Sequence, residues 1–111
     1  MDKLELYRSI VTEILTKYSQ YKPSYGQVEI EQIFDRDHDR YQLLAIGWNQ
    51  QQRIYGTTIH LDIQDEKIWI QQNTTEFDLA SDLVEMGVPK QDIVIGFHTP
   101  KMRQLTSFAV G

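Results

Sequence analysis

The sequence contains no cysteine. A disulfide framework, a thiolate zinc site and a cysteine nucleophile are all excluded, and the chain is compatible with a reducing compartment. No apolar run approaches the roughly 18 residues that a membrane span requires. The opening "MDKLELYRSIV" has no basic segment followed by an apolar core, so it does not read as a secretory leader. These absences lead us to expect a soluble, cytoplasmic protein without membrane contact. Positive charge is also scarce: 11 Lys and Arg stand against 16 Asp and Glu, for a formal net charge of −5. The basic residues are scattered and form no stripe. Phosphate contacts and counterion release supply most of the affinity of nucleic-acid binders, so direct nucleic-acid contact by the chain alone is not expected. No nucleophile elbow, phosphate-binding glycine loop, HExxH motif or recognisable pair of catalytic carboxylates is present. The expectation is a protein that is not an enzyme and carries no cofactor or metal.

What is present suits one domain over residues 1–111, long enough to bury a core without covalent staples. Residues 2–20 place Leu4, Tyr7, Val11, Ile14, Leu15 and Tyr18 at helical spacing with charge on the other side, which predicts an amphipathic helix packed on the chain's own sheet. Pro23 and Gly26 in "YKPSYG" end it. Four segments with two-residue alternation follow: "QVEIEQIF", "YQLLAIGW", "RIYGTTIHLDI" and "KIWIQQN". The first is apolar on one face through Val28, Ile30 and Phe34 and suits an edge. The second is apolar on both, with Leu44, Ile46 and Trp48 opposite Tyr41, Leu43 and Ala45, and suits the centre. In the third, Tyr55, Thr57, Ile59, Leu61 and Ile63 oppose Thr58, His60 and Asp62. Short polar connections, "NQQQ" and "QDE", leave no room for a crossover, so an antiparallel meander is predicted.

A second helix is predicted over 75–86, capped by Thr74 or Thr75, with Phe77, Ala80, Leu83 and Val84 as its buried face and with Gly87 and Pro89 ending it. Ile93 to Phe97 reads as a possible fifth strand, and Thr99 with Pro100 as the start of a short helical turn. Phe108, Ala109 and Val110 would be costly to leave in water, so this end is expected to pack into a groove of the protein or of a partner. The fold class is α+β: an antiparallel sheet of four or five strands with both helices on one face.

Three groups of residues invite a chemical reading. In "DRDHDR", Asp35, Asp37 and Asp39 have the odd spacing of a calcium loop, but Arg40 stands where the turn glycine belongs and Ile46 where the closing glutamate belongs. A solvated hairpin tip fits better. His60 and Asp62 fall on one side of a strand, as a general base and its orienting carboxylate would, though a cross-strand hydrogen bond is the more frequent use. A small hydrolase or nucleic-acid-processing enzyme would be built around His60 and Asp62, with His98 as a further candidate, converging in an open pocket. Trp48, Trp69, Tyr41 and Tyr55 could form a base-stacking platform, yet the nearby Arg and Lys are offset by Asp62, Asp65 and Glu66, so core packing or a protein interface is expected.

"DRDHDRYQLLAIGW", "RIYGTTIHLDI", "GVPKQDIVIGFHTPKMR" and the final "FAVG", in this order and spacing, resemble the cyanobacterial fdxN element excision controlling factors, the XisI-like proteins, over the whole chain. The resemblance implies a part in programmed excision of a DNA element, by site-specific recombination, during heterocyst differentiation. A separate recombinase would exchange the strands. A XisH-type companion resembling a nuclease would be the protein partner. It carries over no catalytic residue. From it follows the expectation of a non-enzymatic accessory factor docking through the C-terminal segment around Phe97, His98, Arg103 and Phe108, with Arg103 making a charge-assisted contact. A one-sided sheet also leads us to expect homo-oligomers formed through the open face or an edge.

Overall fold

The computed structural model describes residues 2–111. Helix α1 (Lys3–Tyr18) begins where the Asp2 carboxylate accepts the Glu5 N–H at 2.8 Å, a cap that satisfies one of the orphan donors of the first turn. Tyr7, Ile10, Val11, Ile14, Leu15 and Tyr18 recur every three or four residues along one stripe and are buried. Strands β1 (Gln27–Asp35), β2 (Arg40–Asn49), β3 (Gln52–Gln64) and β4 (Lys67–Asn73) form the expected antiparallel meander. Its connections are tight. Asp65 and Glu66, at φ +55° and +61°, turn the chain in two residues between β3 and β4, a handedness that matches the twist of the flanking strands. At Gly47 a Cβ would stand 2.0 Å from the Gln27 carbonyl oxygen, so only glycine lets β1 close on β2 there.

The fifth strand, β5 (Ile93–Ile95), lies beside β4 but runs parallel to it, pairing Ile68 with Ile93 and Ile70 with Ile95. A parallel neighbour needs a long crossover, and the chain between β4 and β5 supplies one that carries helix α2 (Leu79–Glu85). The sheet is therefore mixed, antiparallel in all but its last pairing. Ile93, Val94 and Ile95 are all buried, the continuous apolar run expected of a strand covered on both sides.

Three local expectations need correction. Helix α2 is capped by Asp78, which accepts the Ser81 N–H at 3.1 Å, and not by Thr74 or Thr75. Asn73 consumes the threonine signal: its Oδ1 accepts from the Thr75 N–H at 2.9 Å, and its Nδ2 donates to the Phe77 carbonyl at 2.8 Å, fixing a turn ahead of the helix. Of the expected buried face, Leu83 is buried and Phe77 and Ala80 pack partly buried against the core; Leu79 joins them, while Val84 is exposed. Finally, the alternation of β3 breaks. Leu43 pairs with Ile59 but Leu44 with Thr57, leaving Thr58 as a bulge. Tyr55 and Thr57 consequently lie on the face opposite Ile59, Leu61 and Ile63.

Both α1 and α2 pack on the face formed by Tyr41, Leu43, Ile59, Leu61, Ile68 and Ile70, and this contact is the core. The other face carries Ile33, Leu44, Ile46, Trp48, Tyr55, His60, Asp62 and Trp69, as strand register requires. No helix covers it, apart from the C-terminal segment with the short helix α3 (Pro100–Arg103), whose Arg103 guanidinium lies 5.2 Å over the Trp69 ring.

Candidate functional site

At the hairpin tip, Asp35 accepts the backbone N–H groups of Asp37 and His38 at 3.1 Å each and lies 2.8 Å from His38 Nδ1. That is the Asx-type turn the sequence suggests. Asp39 behaves differently. With φ +54° it turns back toward α1, and its side chain, 14% exposed, holds Arg8 at 2.7 Å. The tip is thus tied to the helix rather than wholly solvated. Among the described residues no three His, Asp or Glu side chains gather where they could hold a metal ion.

His60 and Asp62 do meet, Nε2 to Oδ1 at 2.8 Å, half-buried on the open face of the sheet. The second Asp62 oxygen accepts from Gln71 Nε2 at 3.2 Å, so the carboxylate is engaged on both sides by its own sheet. His98 does not join them. It lines a groove of about 220 Å³ on the helix side of the sheet with Ile70, Leu79, Ile95 and Phe108. The strand alternation that puts His60 beside Asp62 puts Ile70 and Ile95 on the opposite face, so the three-residue constellation is not assembled. The aromatic platform is not assembled either: Tyr41 is fully buried in the core, Trp69 lies under Arg103, and of the four only Trp48, with Arg53 over its ring, and Tyr55 are exposed.

The C-terminal segment is built by a cap and a clasp. Thr99 Oγ1 accepts the Met102 N–H at 3.2 Å and Pro100 opens α3, as the Thr-Pro pair predicts. Arg103 then spreads its guanidinium over three carbonyls, His98 at 3.1 Å and Gly96 and Val110 at 3.4 Å. A planar fork with several donors suits this work in a way that a lysine would not. The Ala109 N–H donates to the Ile93 carbonyl at 2.9 Å, so the tail runs alongside β5. Phe108 packs half-buried against the core. Phe108 and Ala109 therefore pack against the protein itself, while Val110 stays 56% exposed.

Of the four interface residues expected from the sequence, only Phe97 is open to solvent, at 54% exposure; His98, Arg103 and Phe108 are turned to the chain's own structure. Met102, Leu105 and Val110, in the same segment, are exposed as well, Leu105 at 76%. Sequence reasoning missed Met102 and Leu105, and named Val110 only as part of an end that packs away, because a short, irregular segment gives no period that sorts inward from outward residues. The signal was their apolar character in an otherwise polar stretch. Exposed as a group of large apolar side chains in one segment, they are what a docking surface offers and what a fully packed terminus would hide.

Comparison with known proteins follows the same outline. A family model described as XisI protein matches residues 1–110. A crystal structure of a XisI-like protein from Anabaena variabilis superposes with a TM-score of 0.90 at 42% identity, covering 97% of this chain and 99% of that one. The fdxN element excision controlling factor XisI from the same organism superposes with a TM-score of 0.86 at 35% identity, covering 99% of this chain and 100% of that one. Among curated proteins no match is found.

Proposed function

Because the chain belongs to the XisI protein family, we propose that it is an accessory factor in control of the excision of a DNA element, acting by contact with other proteins and not by catalysis. Its partner is a XisH-type, nuclease-like companion, and through it a recombinase complex. The observation that carries this reading is the exposure of Phe97, Met102, Leu105 and Val110 on a segment that Arg103 ties down through three carbonyls. Rigid presentation lowers the ordering cost of binding, and large side chains supply the contact area. The acidic balance of the chain supports contact with protein over contact with DNA. The pairing of His60 with Asp62, away from His98, lends no support to hydrolysis.

Co-expression with a tagged companion tests the proposal. The wild-type chain should co-purify with it, and Leu105→Glu or Phe97→Glu should abolish capture while leaving the thermal midpoint unchanged. Failure of the wild-type chain to co-purify, or capture that survives both variants, would sink the reading.

A further inference from the structure

The two helices cover one face of the sheet and the C-terminal segment covers the β4–β5 end of the other, which leaves the β1–β3 part of that face bare. We propose that this bare face is an interface between two copies of the chain. It is apolar where an interface core should be. Leu44 and Ile46 lie half-buried at its centre, flanked by Ile33, Trp48 and Tyr55 at 40%, 51% and 67% exposure. Register places the charges around this centre. Glu29, Glu31 and Asp35 run down the β1 margin, while Arg40 with Asp62 lies at one end of the face and Arg53 at the other. An apolar, aromatic centre inside a charged rim is the anatomy of a protein interface.

Charge and area identify the occupant. Two flat sheet faces stack about 10 Å apart with their strands nearly aligned. A two-fold axis lying in the interface and perpendicular to the strands reverses each strand over its own counterpart. Asp62 of one copy then faces the Arg53 end of the other, and Arg40 faces the Trp48 ring; Trp48 already accepts a guanidinium, since Arg53 lies 5.2 Å over it. The β2–β3 part of the face thus complements itself, whereas on β1 Glu31, opposite Leu44 at the axis, meets its own counterpart and weakens the contact. A strongly basic partner would find acid along the β1 margin, where Lys22 already neutralises Glu29 at 2.9 Å, and at Asp62, which His60 and Gln71 already engage. Three strands at about 4.8 Å spacing and about nine residues at about 3.3 Å give roughly 420 Å² per copy in flat projection. Both copies together bury roughly 840 Å² before side-chain relief is added, well below the roughly 1,200 Å² of standard interfaces and in the range of weak, transient ones. The dimer is therefore reversible, with dissociation expected in the micromolar range.

Sedimentation velocity over a concentration series decides the matter. The full chain should sediment with dimer mass at about 100 µM and with monomer mass near about 1 µM. Ile46→Glu and Tyr55→Glu should each weaken dimerisation at least about tenfold, and Arg53→Asp should weaken it too, all with unchanged circular dichroism. Leu105→Glu, on the C-terminal segment, should leave the dimer intact, so this test succeeds or fails independently of companion binding. Monomer mass throughout the series overturns the proposal. So does a dimer that survives both Ile46→Glu and Tyr55→Glu, or one that Leu105→Glu dissolves.

Discussion

Arg8 on α1 and Asp39 at the β1–β2 turn form a two-pronged ion pair, with Nε to Oδ1 at 2.7 Å and a second guanidinium nitrogen to Oδ2 at 3.0 Å. Tyr41 adds a third bond, its hydroxyl donating to Asp39 Oδ1 at 2.9 Å. One carboxylate thereby fixes the helix, the turn and the core strand beneath them. The Arg8 guanidinium first, and the Tyr41 hydroxyl with it, holds the Asp39 carboxyl below the usual carboxylate range. A depressed folded-state pKa stabilises the fold above the unfolded value of about 3.9 and loses its effect as acid protonates the group. Urea midpoints should therefore fall as the pH drops below about 5. Asp39→Ala should cost about 2 kcal/mol at neutral pH and flatten that acid dependence.

At the alkaline end the tyrosines take over. Tyr7 donates to Asp92 and Tyr18 to Asp82, tying α1 to the segments before β5 and within α2. Burial first, then the hydrogen bond to its aspartate, pushes the Tyr18 and Tyr41 phenols up to about 12, and Tyr7 rises for the same reasons. A raised folded-state pKa gives stability that is complete below the unfolded value of about 10 and lost as pH rises through the folded one. Tyrosinate absorbance should show these three groups ionising late and together with loss of the fold. Tyr18→Phe should remove part of that alkaline transition.

The neighbours Leu83 and Val84 in α2 should separate sharply on truncation. Leu83 is fully buried, so Leu83→Ala should cost about 3 kcal/mol through lost transfer energy and the cavity left behind. Val84 is 37% exposed, and Val84→Ala should stay within about 0.5 kcal/mol. Equal losses in denaturant titration would mean that the helix stripe lies elsewhere.

Glu66 occupies a left-handed turn position at φ +61° that favours glycine. Glu66→Gly should raise stability by about 1 kcal/mol, because the folded chain no longer holds a side chain in that region. A lower thermal midpoint for this variant would contradict the turn geometry.

Arg103→Ala should release the C-terminal segment, since three carbonyls and the Trp69 ring lose one shared partner. A loss of about 1–2 kcal/mol is expected, together with faster amide exchange at Ala109. Arg103→Lys should recover only part of the loss, because an ammonium cannot span all three acceptors.

Strand and helix periodicity made most of the fold legible. The edge placement of β1, the central placement of β2, the meander and the amphipathic α1 follow from local alternation, which is set by which residues must leave water. The C-terminal Thr-Pro start was equally local. The Thr58 bulge was not, because β3 reads as one unbroken alternation and the extra residue exists only relative to its pairing with β2. For the same reason the sequence placed Tyr55 on the core side, when it belongs to the open face.

Composition alone determined that this chain has no thiol chemistry and an excess of acid over base, and the spacing of its apolar residues determined the α+β class. Pattern alone, read along its whole length, pointed to its family. Tertiary structure decided which residues remain available. It turned Arg103, His98 and Phe108 inward, left Leu105 and Phe97 outside, set Asp39 on Arg8, and kept His98 from His60. These outcomes depend on pairing across strands and on contacts between segments far apart in the chain, and no local periodicity encodes them.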